Sequence, residues 1–245
     1  MAQKALRFES CLQGRESEIV NHFPWRKKMA DTPRGAILQR DKETYAIVPR
    51  SPAGLLTAEN LEAFASVVRK YEIPVVKITS GQRVALVGIK GEDVEKVWND
   101  LGMDAGKATE LCVHYAQACP GTAVCRFGVQ DSLGLGLELE KFFEGVDLPA
   151  KLKFGVSGCP FCCAESYVRD LGIIGKKSGW TVAVGGHSGG RPRIADEIAE
   201  DLTTEQVLDL CKKSLDHYRS NAKKKERMSA FVDRIGLESF KQSVL

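Results

Sequence analysis

Hydrophobic and polar positions fall into a readable order from Thr44 onward. TYAIVP alternates like a strand, SPAG marks a turn, and TAENLEAFASVVRKYE carries Leu61, Phe64, Ala65 and Val68 at helical spacing behind Thr57, a good N-cap. PVVKIT and RVALVGI are rich in β-branched residues and read as strands joined through Ser80, Gly81 and Gln82. EDVEKVWNDLG follows as a second helix ended by Gly102. The order β-α-β-β-α over residues 44–102 fits half of a split α+β sandwich of the ferredoxin-like kind. Residues 1–40 show no sustained period, with Phe8, Phe23 and Trp25 scattered among charges, and are expected to form an N-terminal arm.

The second part is again mixed. DSLGLGLELEKFFEG predicts a helix that tolerates Gly134 and Gly136, with Leu135, Leu139 and Phe142 as its apolar stripe. AKLKFGVSG has period two, so Lys151 and Lys153 share one strand face while Leu152 and Phe154 enter the core. AESYVRD suggests a helical turn, LGIIG and GWTVAVGG two strands, and GGHSGGRPR a loop. TTEQVLDLCKKSLDHYRSNA predicts a helix capped by Thr204, with Val207, Leu210, Leu215 and Tyr218 inward; KKKERMSAFVDRIGLESFK continues it with Phe231, Ile235 and Phe240. The expected division is an arm over 1–40, a ferredoxin-like half over 41–104, a second α+β unit over 105–220, and a helical tail over 221–245.

Composition narrows the function classes. With 245 residues, 43% of them hydrophobic, the chain can bury a sizeable core. Its 35 basic and 32 acidic residues leave a net charge of only +3, which argues against a nucleic-acid partner. No apolar run reaches the roughly 18 residues of a membrane span, and MAQKALRFES lacks the apolar core of a signal peptide. A cytoplasmic protein is expected, with reduced thiols. GGHSGGRPR is unaccompanied by a Walker or dinucleotide fingerprint.

Four of the eight cysteines form two close pairs, Cys119 with Cys125 in ACPGTAVCRFG and Cys159 with Cys163 in SGCPFCCAES. Four thiolates suit an iron-sulfur cluster, because soft anionic sulfur matches iron and offsets its charge. A Cys-x5-Cys pair suits a loop, and a Cys-x3-Cys pair would place both sulfurs on one face of a helical turn. Two other readings stand beside this one. Cys162 with Cys159 makes half of a zinc-like Cys-x2-Cys site, without a second half, and the thiols could instead be structural or bridged. Cys11, Cys112, Cys162 and Cys211 read as small apolar residues.

CRFGVQDS, LPAKLKFGVSGCP and CAES resemble the siroheme and 4Fe-4S domain of sulfite and nitrite reductases, most closely the siroheme segment of NADH-dependent nitrite reductase large subunits. The resemblance covers roughly residues 40 to 240 and implies a ferredoxin-like half-domain followed by a siroheme and iron-sulfur domain. It implies that Cys119, Cys125, Cys159 and Cys163 hold the cluster and that Cys163 also bridges to the siroheme iron. Siroheme is a polyanion, so Arg50, Gln82, Arg83, Arg126, Arg191 and Arg193 are its candidate partners. Periodicity alone would make Lys151 and Lys153 a wet sheet face; the resemblance makes them the substrate side, with His114 as a third candidate.

The implied activity is reduction of sulfite to sulfide or of nitrite to ammonia, with electrons from a separate donor such as ferredoxin. One module is found where larger sulfite reductases have two, so a homodimer is an expectation. Val48, Gly81 and His114 stand where the family often has arginine, and Phe161-Cys162 replaces the usual polar pair between the last two cysteines. Those departures leave a non-catalytic siroheme and iron-sulfur electron carrier as the alternative, and a haem-free structural iron-sulfur protein as a third reading.

Overall fold

The computed structural model describes residues 32–245; Phe8, Cys11, His22, Phe23 and Trp25 lie outside them. The first unit is a four-stranded antiparallel sheet, β1 (Ala36–Leu38), β2 (Thr44–Ile47), β3 (Val75–Ile78) and β4 (Val84–Lys90), in the order β1-β2-β4-β3. Helices α1 (Ala58–Lys70) and α2 (Val94–Leu101) cover it. The predicted β-α-β-β-α order is present, with β1 added from within the expected arm.

Thr57 caps α1 as expected. Its hydroxyl accepts the Asn60 N–H at 3.2 Å, and the Asn60 side chain accepts the Thr57 N–H at 3.1 Å. The buried face is rotated from the expected stripe: Phe64 and Val67 pack against Ile47, Leu86 and Val97, whereas Leu61 is 56% exposed. Contacts with α2 and the sheet, which the helix sequence alone does not carry, fix that rotation. Gly102 ends α2 in the left-handed region at φ 62°, as its position predicted.

The second unit is a five-stranded mixed sheet in sequence order: β5 (Val113–Ala118), β6 (Leu152–Ser157), β7 (Leu171–Lys176), β8 (Gly179–Val184) and β9 (Asp196–Leu202). The first three run parallel, β8 is antiparallel to β7, and β9 is antiparallel to β8. One face is covered by α3 (Ser132–Phe143), α4 (Thr204–Asn221), α5 (Met228–Ile235) and α6 (Leu237–Val244). Leu135 and Leu139 enter this core as predicted, but Phe143 joins them and Phe142 is 57% exposed. Thr203, not Thr204, caps α4, through a reciprocal pair with Gln206. The C-terminal segment is two helices, whose fully buried Phe231 and Phe240 share the core with Tyr218 and the sheet.

A buried carboxylate ties the two units together. Glu140 on α3 accepts the N–H of Ala116 on β5 at 2.9 Å and that of Ala53 at 3.2 Å, in the short turn Pro52–Gly54 of the first unit. β5 leads straight into the first cysteine loop, so this contact fixes the half-domain against that loop.

Candidate functional site

The cysteine loops meet at the carboxyl ends of β5 and β6. Cys119 follows β5 and bonds its N–H to the Val156 carbonyl at 3.1 Å, while its Sγ accepts the Gly158 N–H at the same distance. Gly158 is required by this approach: a Cβ there would lie 2.7 Å from Gly121 Cα and 2.8 Å from the Gln130 carbonyl oxygen. Gly121 in turn begins the turn from which Cys125 hangs, the Cys125 N–H donating to its carbonyl at 2.9 Å.

Cys159 and Cys163 do not share a helical face. Two successive turns carry them, closed by Cys162 N–H to Cys159 O and Glu165 N–H to Cys162 O, and Cys162 and Glu165 have φ of 56° and 55°. These two left-handed residues stop a helix from forming. Cys163 is exposed while Cys159 is buried. Desolvation, then the charges of Cys119, Cys159, Cys125 and Cys162, push the Cys163 thiol above its ordinary pKa. Thiolates this close repel one another, and a polynuclear iron core is the kind of group that relieves the repulsion.

The sheet face opposite the helices carries the other candidates. Lys153 Nζ lies 5.6 Å from the Tyr115 ring centre, and the Arg83 guanidinium 4.8 Å from the same ring. Lys151 and Lys153 line a cavity of about 280 Å³ with Arg169, Asp170, His187 and Arg227. Burial, and the cations Arg169, Arg227 and Arg83, hold the Lys153 ammonium below its ordinary pKa, with Asp170 opposing them. Lys151 is lowered by burial, Lys153 and Arg227.

Arg169 and Asp170 escaped the sequence reading, and Arg227 was not expected at this cavity. Arg169, 3% exposed, donates to Gln117 Oε1 at 2.5 and 3.1 Å and to Ser188 Oγ at 3.1 Å, and pairs with Glu165. Asp170, 1% exposed, accepts two bonds from Arg227 Nη2 at 2.7 and 2.8 Å and one from the Lys153 N–H at 3.0 Å. The available signal was a charged Arg-Asp pair placed directly before the apolar run of β7.

The remaining candidates divide. Arg83 is buried; its Nη1 donates to the Lys107 carbonyl at 2.7 Å, its Nε has no partner, and burial lowers its pKa. Gln82 Oε1 is likewise buried without a partner. Both residues border the junction of the two units, where Gln82, Ala53, Pro120 and Val124 help line a mostly apolar cavity of about 610 Å³. Gln82 Oε1 is an orphaned polar group at this cavity, and the unpaired Nε of the adjacent Arg83 is a donor suited to a cofactor carboxylate.

Arg50 pairs with Glu144 and lies 3.8 Å from Glu140, and Arg193 pairs with Asp233 at 2.8 Å and Asp196 at 2.6 Å, so both are already matched by acids. Arg126 is exposed and stacks on Phe127 at 4.5 Å; Arg191 is exposed beside Lys225 and Arg227. His114 does not line the cation cavity. It is 2% exposed, its Nε2–H donates to the Glu110 carbonyl at 2.7 Å, and burial lowers its pKa. A bulge in the β5–β6 register between Val113 and Tyr115 leaves His114 out of the strand pairing and sets Tyr115 opposite Lys153, while the charges of Arg83 and Lys151 add to the lowering.

Residues 37–103 match the nitrite/sulfite reductase ferredoxin-like half domain, and residues 111–245 the nitrite and sulphite reductase 4Fe-4S domain. An assimilatory-type sulfite reductase of Nitratidesulfovibrio vulgaris is 60% identical over 217 residues, covering 89% of this chain and all of that protein. An NAD(P)H nitrite reductase of Bacillus subtilis is 46% identical over 86% of this chain, but only 26% of its own length is matched. The Mycobacterium tuberculosis NirA structure superposes with a TM-score of 0.73 at 20% identity, over 82% of this chain and 39% of that one. A dissimilatory sulfite reductase I structure gives the same TM-score at 14% identity, over 82% and 69%.

Proposed function

The chain belongs to the nitrite and sulfite reductase family, and on that premise we propose that it reduces sulfite to sulfide. The family uses siroheme and a 4Fe-4S cluster and acts on small anions. Sulfite is favoured over nitrite because the relative matched along its whole length is a sulfite reductase, whereas the nitrite reductase is matched over about a quarter of its length. The observation that carries the reading is the cation cavity of Lys151, Lys153, Arg169 and Arg227.

The residues present fit both cofactors. Cys119, Cys125, Cys159 and Cys163 would hold the cluster, with Cys163 shared with the siroheme, and Arg83 with its unpaired Nε would meet a siroheme carboxylate, helped by Gln82 and Arg191. When bound, these groups would relay electrons from the donor and bind the anion at iron. The protein's own part is to attract the oxyanion, orient it and provide protons as its oxygens leave as water. A half-buried lysine with a lowered pKa gives up its proton more readily than a solvated one, which suits Lys153 to that task. The fixed cations also stabilise charge on the departing oxygen without solvent reorganisation.

A separate acidic donor such as ferredoxin would find exposed Lys223, Lys224 and Lys225 next to the cavity residue Arg227. A second copy would find at β3 a pairing edge that is unpaired among the described residues, with Val75, Val76 and Ile78 exposed. Among the described residues no helix is long and apolar enough to cross a membrane, and a cytoplasmic setting suits thiolate ligands. The test is turnover of anaerobically purified protein with a chemical reductant, sulfite and nitrite side by side. Sulfide formation with the higher kcat/KM for sulfite is expected. A preference for nitrite would reverse the substrate, and no turnover of either anion would favour the electron-carrier reading.

A further inference from the structure

We propose that Asp170 is a positioning residue for the anion cavity, its carboxylate fixing both the Lys153 backbone and the Arg227 guanidinium and supplying the negative charge that lets several cations face one space. The inference rests on the reading of this cavity as the substrate site. Three observations support it.

First, Asp170 is the acid lining the cavity among the described residues, against Lys151, Lys153, Arg169 and Arg227. Second, its oxygens join segments far apart in sequence: one accepts the Lys153 N–H on β6, and both accept from Arg227, which directly precedes α5. Third, the carboxylate is almost fully buried, so its charge is poorly screened by water. Burial raises the pKa of Asp170, and the Arg227 guanidinium, the Lys153 N–H and the Lys153 charge oppose that shift and favour the carboxylate.

The groups facing Lys153 set the sign of each expected effect. Arg169 and Asp170 come from the turn before β7, Arg227 from the start of α5, Arg83 from the start of β4, Tyr115 from β5, His187 from the loop after β8 and Lys151 from its own strand. Asp170 favours the ammonium form of Lys153, while Arg169, Arg227 and Arg83 oppose it. Removing the acid and removing the arginine should therefore move Lys153 in opposite directions. A merely structural loosening would admit water and move both variants toward an ordinary lysine, the same way.

The experiment is pulsed acylation of the anaerobically purified protein with acetic anhydride from neutral to alkaline pH, with Lys153 modification quantified by mass spectrometry. Only the neutral amine reacts, so the midpoint reports Lys153 directly and needs no turnover. Asp170→Asn should lower the midpoint by about one unit or more, and Arg227→Met should raise it. Circular dichroism selects variants that stay folded, and Asp170→Glu, which keeps the charge, should restore most of the shift if Asp170→Asn is poorly folded. Equal midpoints in wild type and Asp170→Asn, or shifts of the same sign in Asp170→Asn and Arg227→Met, would overturn the proposal. Loss of turnover in Lys153→Met with no Asp170 effect on the midpoint would overturn this inference and leave the substrate-site reading intact.

Discussion

Replacing Glu140 tests how the half-domain is held against the cysteine loops. In Glu140→Ala the N–H groups of Ala53 and Ala116 lose their acceptor inside the protein. Each stranded buried donor costs about 1–3 kcal/mol, so the pair should cost about 2–6 kcal/mol, a large part of the roughly 5–15 kcal/mol that holds a typical domain. Glu140→Gln keeps a carbonyl oxygen for both donors and should stay within about 1 kcal/mol of wild type. The acid itself is held above its ordinary pKa, first by burial, with Glu144 adding to it and the two N–H bonds and Arg50 opposing. A raised acid contributes stability that is present below its unfolded value of 4.5 and lost as pH rises through the folded value, so Gln gains relative to Glu as pH rises. Urea unfolding followed by circular dichroism, under anaerobic conditions, measures both variants. Equal midpoints for the alanine and glutamine variants would show that the Glu140 contact does not hold the units together.

Two further outcomes follow from the loops and the C-terminal helices. Cys125→Ser should lose cluster iron, whereas Cys162→Ser should retain it; iron and sulfide analysis of the two proteins decides, and iron loss confined to Cys162→Ser would mean that the ligand was misassigned. Glu226 is pushed down to about 2, chiefly by its bonds to Arg234 Nε at 2.7 Å and Nη2 at 2.8 Å. A depressed acid contributes stability above its unfolded value of 4.5 and loses it as pH falls toward 2, so the Tm gap between wild type and Arg234→Met should close over that interval; a gap independent of pH would contradict the assignment.

The sequence was legible where local signals suffice. The Thr57 cap, the Gly102 stop and the alternation around Lys153 need no distant partner, and all three match the structure. β9 was missed because DEIAEDL is acidic and lies at a sheet edge, where little apolar patterning is needed. The helical face expected for Cys159 and Cys163 failed on two positive φ angles that spacing does not encode. Asp170 and Arg227, 57 residues apart, meet only through the packing of α5 against the sheet. The arginines proposed for siroheme came from loop positions and the resemblance, and two of them, Arg50 and Arg193, are matched by acids that the resemblance did not name.

The most direct test of the central claim is a sulfite titration of the haem absorption spectrum, with wild type, Lys151→Met and Lys153→Met in parallel and turnover measured on the same samples. Both lysines are expected to hold the oxyanion, and Lys153 to supply a proton. Lys153→Met should therefore keep its haem and cluster content, bind sulfite more weakly and turn over about a hundredfold or more slowly, as on removing one fixed electrostatic donor. Lys151→Met, more exposed, should show the smaller loss. Unchanged affinity and rate in both variants would mean that this sheet face is only solvated, and would contradict the account.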